Sequence, residues 1–146
     1  MKADELSMVK IVVLDTNVLI SSIFWDKGNS HKIVALAIQQ KITNFTSAEM
    51  LDELARVLRK KFNQPEDKIQ DQLALTANYS QITEPKIKVN AVKEDPSDNK
   101  VLECALSCNA EFIVTGNNHL LKLGEYRGIK IIKPAEFIKR VVDYNV

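Results

Sequence analysis

Three carboxylates in this 146-residue chain sit where a fold must account for them: Asp15 closing an apolar run, Glu53 beside a helical stripe, and Asp98 in an Asp-Pro-Ser-Asp turn. On a wheel of about 100° per residue with Met50 at 0°, Leu51, Leu54, Val57 and Leu58 fall between about −20° and 100°, and Glu53 near about −60°. Glu53 therefore borders the apolar face. Glu49 and Asp52 fall on the far side with Arg56 and Arg59, where Asp52 and Arg56 are expected to form a solvated surface pair. With Val101 at 0°, Asp98 comes to about 60°, between Ala105 and Leu102. That puts an acid on a buried stripe, which costs free energy unless a cation or hydrogen-bond donors compensate. Asp95 is accounted for as an N-cap ahead of Pro96.

Acids on three separate elements, without a His or Cys cluster, suit a hard divalent ion, Mg²⁺ or Mn²⁺. The reaction class to expect is metal-assisted phosphodiester hydrolysis. His31 and His119 are not at zinc-motif spacing. Cys104 and Cys108, four apart on one helical face, read as small core residues rather than a disulfide or a metal pair.

Periodicity predicts the elements that must position these acids. Lys10 to Asp15 (KIVVLD) and Glu111 to Thr115 (EFIVT) read as strands buried on both faces. Asn44 to Thr46, Gln81-Ile82 and Ile129 to Ile132 are further strands, and Pro85 to Glu94 is a loop or an edge. Helices are expected from about His31 to Gln40, after the N-cap Ser47 as far as Asn63, over 66–77, from Asp95 through Leu106, through Leu120 and Leu121, and from Pro134 to about Val142. Strands alternating with helices at this pace predict an α/β fold, a parallel sheet with helices on both faces. Ligands in such sheets bind beyond the carboxyl ends of the strands where strand order reverses, so Asp15, Asp95, Asp98 and Asn117 could converge there.

A single domain over residues 9–146 is expected behind a disordered leader, residues 1–8. Twenty Lys plus Arg against nineteen Asp plus Glu leave +1, which excludes binding nucleic acid by bulk charge. No apolar stretch approaches the roughly 20 residues of a membrane span, so a cytoplasmic protein without a membrane role is expected. Arg56, Arg59, Lys60 and Lys61, and Lys86, Lys88 and Lys93, read as solvated faces, with RNA contact as the alternative. Phe24 and Trp25 read as core aromatics, with base stacking as the alternative.

The segments IVVLDTNVLISSIF (11–24), SAEMLDELARVLRKKF (47–62), DPSDNKVLECAL (95–106) and AEFIVTGNNHLL (110–121) stand in an order and spacing that resemble the PIN-domain nucleases, in particular the single-domain toxins of toxin–antitoxin pairs. The resemblance covers about residues 9–142. It implies a three-layer α/β/α sandwich around a mainly parallel sheet, with an acidic cluster that binds Mg²⁺ or Mn²⁺ for RNA cleavage. Residue by residue, it implies that Asp15, Glu53 and Asp98 are catalytic and hold metal, with Asp95 as a further ligand. Asn17, Asn117, Thr115 and Ser47 are expected to orient these acids or touch substrate. Relatives commonly carry TGDxDLL where this chain has TGNNHLL, so Asn117 and His119 leave the site with less negative charge. His119 reads as a loop residue, since imidazole is a poor Mg²⁺ ligand.

The expected function is thus a PIN-type endoribonuclease acting on RNA, with an antitoxin protein as partner and a homodimer as a possible assembly. Two alternatives stand beside it. A phosphohydrolase using Asp15 as nucleophile would need a second acid at the place of Asn17. A PIN fold that binds RNA or protein without cleaving would accord with Asn117 and His119.

Overall fold

The computed structural model describes residues 9–144, with side chains described as far as Val141; the leader expected at residues 1–8 lies outside the described residues. Six strands form one sheet: β1 (Lys10–Leu14), β2 (Ile42–Thr46), β3 (Ser80–Ile82), β4 (Phe112–Val114), β5 (Glu125–Tyr126) and β6 (Ile129–Ile132). Seven helices are described, α1 (Thr16–Phe24), α2 (Asn29–Ile38), α3 (Ala48–Lys60), α4 (Glu66–Tyr79), α5 (Asn99–Ser107), α6 (Asn118–Leu121) and α7 (Pro134–Tyr144), with a 3₁₀ turn at Pro96–Asp98.

Side chains project alternately from a strand, so an all-apolar run is stable only where both faces of the sheet are covered. In β1, Val12 and Leu14 enter one core with residues of α1, α2, α3, α4 and α7. Val13 enters the other, with Ile113, α5 and Leu120 of α6. None of the three is exposed (0%). The result is the expected three-layer sandwich. Strand order is β3-β2-β1-β4-β6-β5, parallel throughout except for the antiparallel β5 and β6 pair. No helix among the described residues is long and apolar enough to cross a membrane.

Helix α1 is absent from the sequence expectation, and its composition explains why. Thr16, Val18, Leu19, Ile20 and Ser22 are all buried, so TNVLISSIF keeps only a narrow polar stripe, Asn17 and Ser21, to reveal a period, and it is rich in β-branched residues. The segment 85–94 is irregular rather than an edge strand. Its backbone is held by two side chains of α5. Buried Asn99 accepts from Ala91 N (3.0 Å) and Val92 N (2.8 Å) and donates to Val92 O (2.8 Å) and Pro96 O (3.2 Å), while Glu103 accepts from Val89 N (2.9 Å). Cys104 and Cys108 are free thiols; Cys104 is buried and Cys108 partly so, as core residues should be.

Candidate active site

From β1 the chain moves to β2 on one side, and from β3 it returns past β1 to β4 on the other, so strand order reverses between β1 and β4. Leu14 lies beside Val114 in register, and Asp15 N donates to Val114 O at 3.0 Å. Asp15 and Thr115 therefore leave the sheet side by side at its carboxyl edge. A cleft of about 430 Å³ opens there, lined by Asp15, Asn17, Glu49, Glu53, Asp95, Asp98 and Asn117 among others.

Asp15 is at once a helix cap and the innermost acid of this cleft. Its Oδ1 accepts from Thr16 N (2.7 Å), which starts α1. Its Oδ2 accepts from the Thr115 hydroxyl (2.7 Å) and from Asn17 Nδ2 (3.2 Å). Burial pushes its carboxyl up from 3.8 to about 6, against the lowering effect of the Thr115 and Thr16 bonds, and the charges of Asp98 and Glu53 raise it further.

A run of hydrogen bonds leads from Asp15 to Asp98. Thr115 Oγ1 accepts from Asn117 N (2.9 Å), and Asn117 Nδ2 donates to Asp98 Oδ1 (2.9 Å). Asn117 Oδ1 also caps α6 through His119 N (2.8 Å). Asp98 is only 7% exposed, as the wheel predicts, although it sits in the 3₁₀ turn just before α5. Its carboxyl is raised, first by burial and then by the charge of Asp95. Its Oδ2 is buried without a hydrogen-bond partner; the imidazole of His119 lies beside it, with Nδ1 at 3.6 Å.

The other expected site residues are placed differently. Glu53 lines the cleft, but its Oε1 accepts from Arg56 Nε (2.9 Å) and Nη2 (2.6 Å). Arg56 therefore pairs with Glu53, one turn away on α3, and not with Asp52 as the wheel suggested. Asp95 is exposed; its Oδ1 accepts from Ser97 N (3.2 Å) and Oγ (2.7 Å), and the Ser97 bonds hold its carboxyl below the usual range. Ser47 is buried and lies off the cleft, where its hydroxyl caps α3 through Met50 N (3.3 Å). Asn17 bridges the two strand ends, donating to Asp15 and Thr115 and accepting from Gly116 N (3.0 Å).

Four cleft residues stand out against the sequence reading. Glu49, read as solvated, is exposed but lines the cleft one turn before Glu53; the i,i+4 spacing of the two was the available signal. Of the cations singled out, only Lys61 lines the cleft, joined by Lys100, which was not. Arg59 is engaged by Glu66 (2.5 Å) and Lys86 lies near Glu84 (3.6 Å). Trp25, expected in the core, is 57% exposed and lines the cleft.

Mg²⁺ is commonly held by one or two carboxylates, with water and substrate phosphate completing its shell. Asp15 and Asp98 fit that demand: hard oxygen donors, both buried, and one oxygen without a partner. Among the described residues, no three His, Cys, Asp or Glu side chains are gathered around one ion-sized point. Glu53 and Asp95 are tied to Arg56 and Ser97 instead.

A family model for the PIN domain matches residues 11–119. The chain is 32% identical to the uncharacterized protein MJ1680 of Methanocaldococcus jannaschii, over 93% of this chain and 95% of that protein. The crystal structure of VapBC2 from Rickettsia felis bound to a DNA fragment from their promoter superposes with a TM-score of 0.58 at 16% identity, over 84% of this chain and 98% of that one. PAE2754 from Pyrobaculum aerophilum superposes with a TM-score of 0.55 at 15% identity, over 92% and 98%. At these identities both structures speak to the fold alone.

Proposed function

Because the chain belongs to the PIN-domain family, we propose that it is a metal-dependent endoribonuclease of the cytoplasm and the toxin of a toxin–antitoxin pair. The observation that carries this reading is the buried, unpartnered Oδ2 of Asp98 on the same cleft as Asp15, two acids whose mutual charge a divalent cation offsets. Asp15 and Asp98 would hold Mg²⁺ or Mn²⁺, with Asn117 beside them. Once bound, the ion supplies positive charge to the scissile phosphate and lowers the pKa of its water. Asn17 and Thr115 hold Asp15 in place, and Asn117 does the same for Asp98 through its amide. Glu53 lines the same cleft while paired with Arg56. The fold likeness to VapBC2 supports an antitoxin as partner.

Purified protein with mixed-sequence single-stranded RNA in Mn²⁺ is expected to cleave, EDTA to abolish cleavage, and Asp15→Asn to lower it by about a hundredfold or more. Undiminished cleavage by the variant would overturn the assignment. The occupation of Glu53 by Arg56 favours a second reading, a PIN fold that binds RNA or protein without cleaving. Folded protein that neither cleaves nor responds to Mn²⁺ would establish it.

A further inference from the structure

Trp25 is the one tryptophan of the chain, and it lies 57% exposed at the rim of the acid cleft. A single exposed apolar side chain is ordinary on a protein surface. What sets this one apart is how firmly it is held and what it adjoins. Trp25 N donates to Ser21 O (3.0 Å) and Trp25 O accepts from Gly28 N (3.2 Å), which fixes the backbone at the end of α1. Its ring meets Phe24 edge to face (6.1 Å, 74°), and Phe24 stacks on Phe62, just past the end of α3 (4.7 Å, 10°). The indole thus leans on Phe24 and leaves more than half of its surface to solvent. The cleft that it lines is also lined by Phe62, Val57 and Lys61 and by Glu53 and Asp15. Lys61 makes no ion pair among the described residues, so its charge is available to a phosphate.

We propose that Trp25 is a stacking platform for an unpaired base of a single-stranded RNA whose backbone passes Lys61 to the acids. The proposal rests on the nuclease reading of the cleft and deepens it by assigning a base-binding residue to that site. With a net charge of +1, the chain lacks the bulk attraction that would hold a polyanion. Stacking supplies affinity that does not depend on charge and tolerates any base. A duplex keeps its base faces covered, so such a plate selects single strands.

As the only tryptophan, Trp25 reports on the site directly. Its fluorescence is to be followed while a mixed-sequence single-stranded 12-mer RNA, and the same sequence as a duplex, are added to wild-type protein in EDTA, where no cleavage occurs. Saturable quenching by the single strand and little by the duplex is expected. Trp25→Ala should weaken single-strand binding about tenfold, measured by anisotropy of labelled RNA, while Trp25→Phe retains most of it. In Mn²⁺, Trp25→Ala should raise KM for the single strand about tenfold with kcat within about twofold. Circular dichroism and a thermal melt verify that the variants are folded.

Unmoved fluorescence, or an RNA affinity of Trp25→Ala equal to wild type, overturns the proposal; a plate that instead serves a protein partner would give that result. The nuclease reading is tested apart, by the response of the melting temperature to Mn²⁺. A normal Mn²⁺ response without quenching removes the stacking role alone, and quenching without a Mn²⁺ response retains it on a non-cleaving RNA-binding cleft.

Discussion

Asp15 carries two duties that pull its protonation in opposite directions. As the cap of α1 it accepts from Thr16 N, which favours the carboxylate; as the innermost acid of the cleft it is desolvated, which favours the neutral acid, and desolvation wins. The sign of the stability effect is therefore the reverse of the usual carboxylate case. Between pH 3.8 and about 6 the unfolded chain has released this proton while the folded chain retains it, so stability falls as pH rises. The displacement from 3.8 to about 6 corresponds to about 3 kcal/mol by pH 7. Urea unfolding in EDTA should show wild-type stability declining by roughly 2–3 kcal/mol from pH 4 to pH 7 through this group, and a much flatter profile for Asp15→Asn. Parallel profiles for the two proteins would mean that Asp15 is ionised without difficulty in the folded state.

Among the elements, α5 does more than cover a face of the sheet. Asn99 makes three hydrogen bonds to the irregular segment before it and a fourth to Pro96 of the 3₁₀ turn, and Glu103 adds another to the segment at Val89, so this long connection is held without forming a strand. Asn99→Ala leaves the amides of Ala91 and Val92 and the Val92 carbonyl without that partner, and should cost about 2–4 kcal/mol. Hydrogen exchange at Ala91 and Val92 should accelerate with it; unchanged exchange would place the support elsewhere. The same contacts explain what could be read in advance and what could not. The strands at Lys10–Leu14 and Phe112–Val114 announced themselves because burial on both faces leaves an apolar run, and Asp98 because a wheel exposes an acid on a buried stripe. Helix α1 has only the narrow polar stripe of Asn17 and Ser21, and Asn99 acts through contacts distant from any periodic pattern, so neither stood out. The partner of Glu53 was lost for a different reason: spacing permits Arg56 to reach either Asp52 or Glu53, and only the packed side chains decide.

For the molecule as a whole, the crossing of the chain on both sides of β1 delivers Asp15 and Asp98 to one place from residues 83 apart in sequence. The fold thereby holds two buried acids together, and their repulsion weighs on the native state alone, since the unfolded chain keeps them apart in water. A divalent ion that binds the pair binds the folded chain preferentially, so it must raise stability by mass action. At a Mn²⁺ concentration about 100 times its Kd the gain is about 2.7 kcal/mol, which for a domain of this size moves the melting temperature by roughly 5–10 °C. Asp15→Asn and Asp98→Asn should each remove most of that rise, because each takes away half the charge of the pair, no third His, Cys, Asp or Glu among the described residues stands with them, and protein without RNA offers no phosphate to complete the shell. Asp95→Asn should leave most of it, since Asp95 is exposed and already satisfied by Ser97. A melting temperature indifferent to Mn²⁺ in wild type would show that the hydrogen bonds from Thr16, Thr115, Asn17 and Asn117 are compensation enough for the two acids. The cleft would then be a polar clasp between α1, β4 and α5 rather than a metal centre.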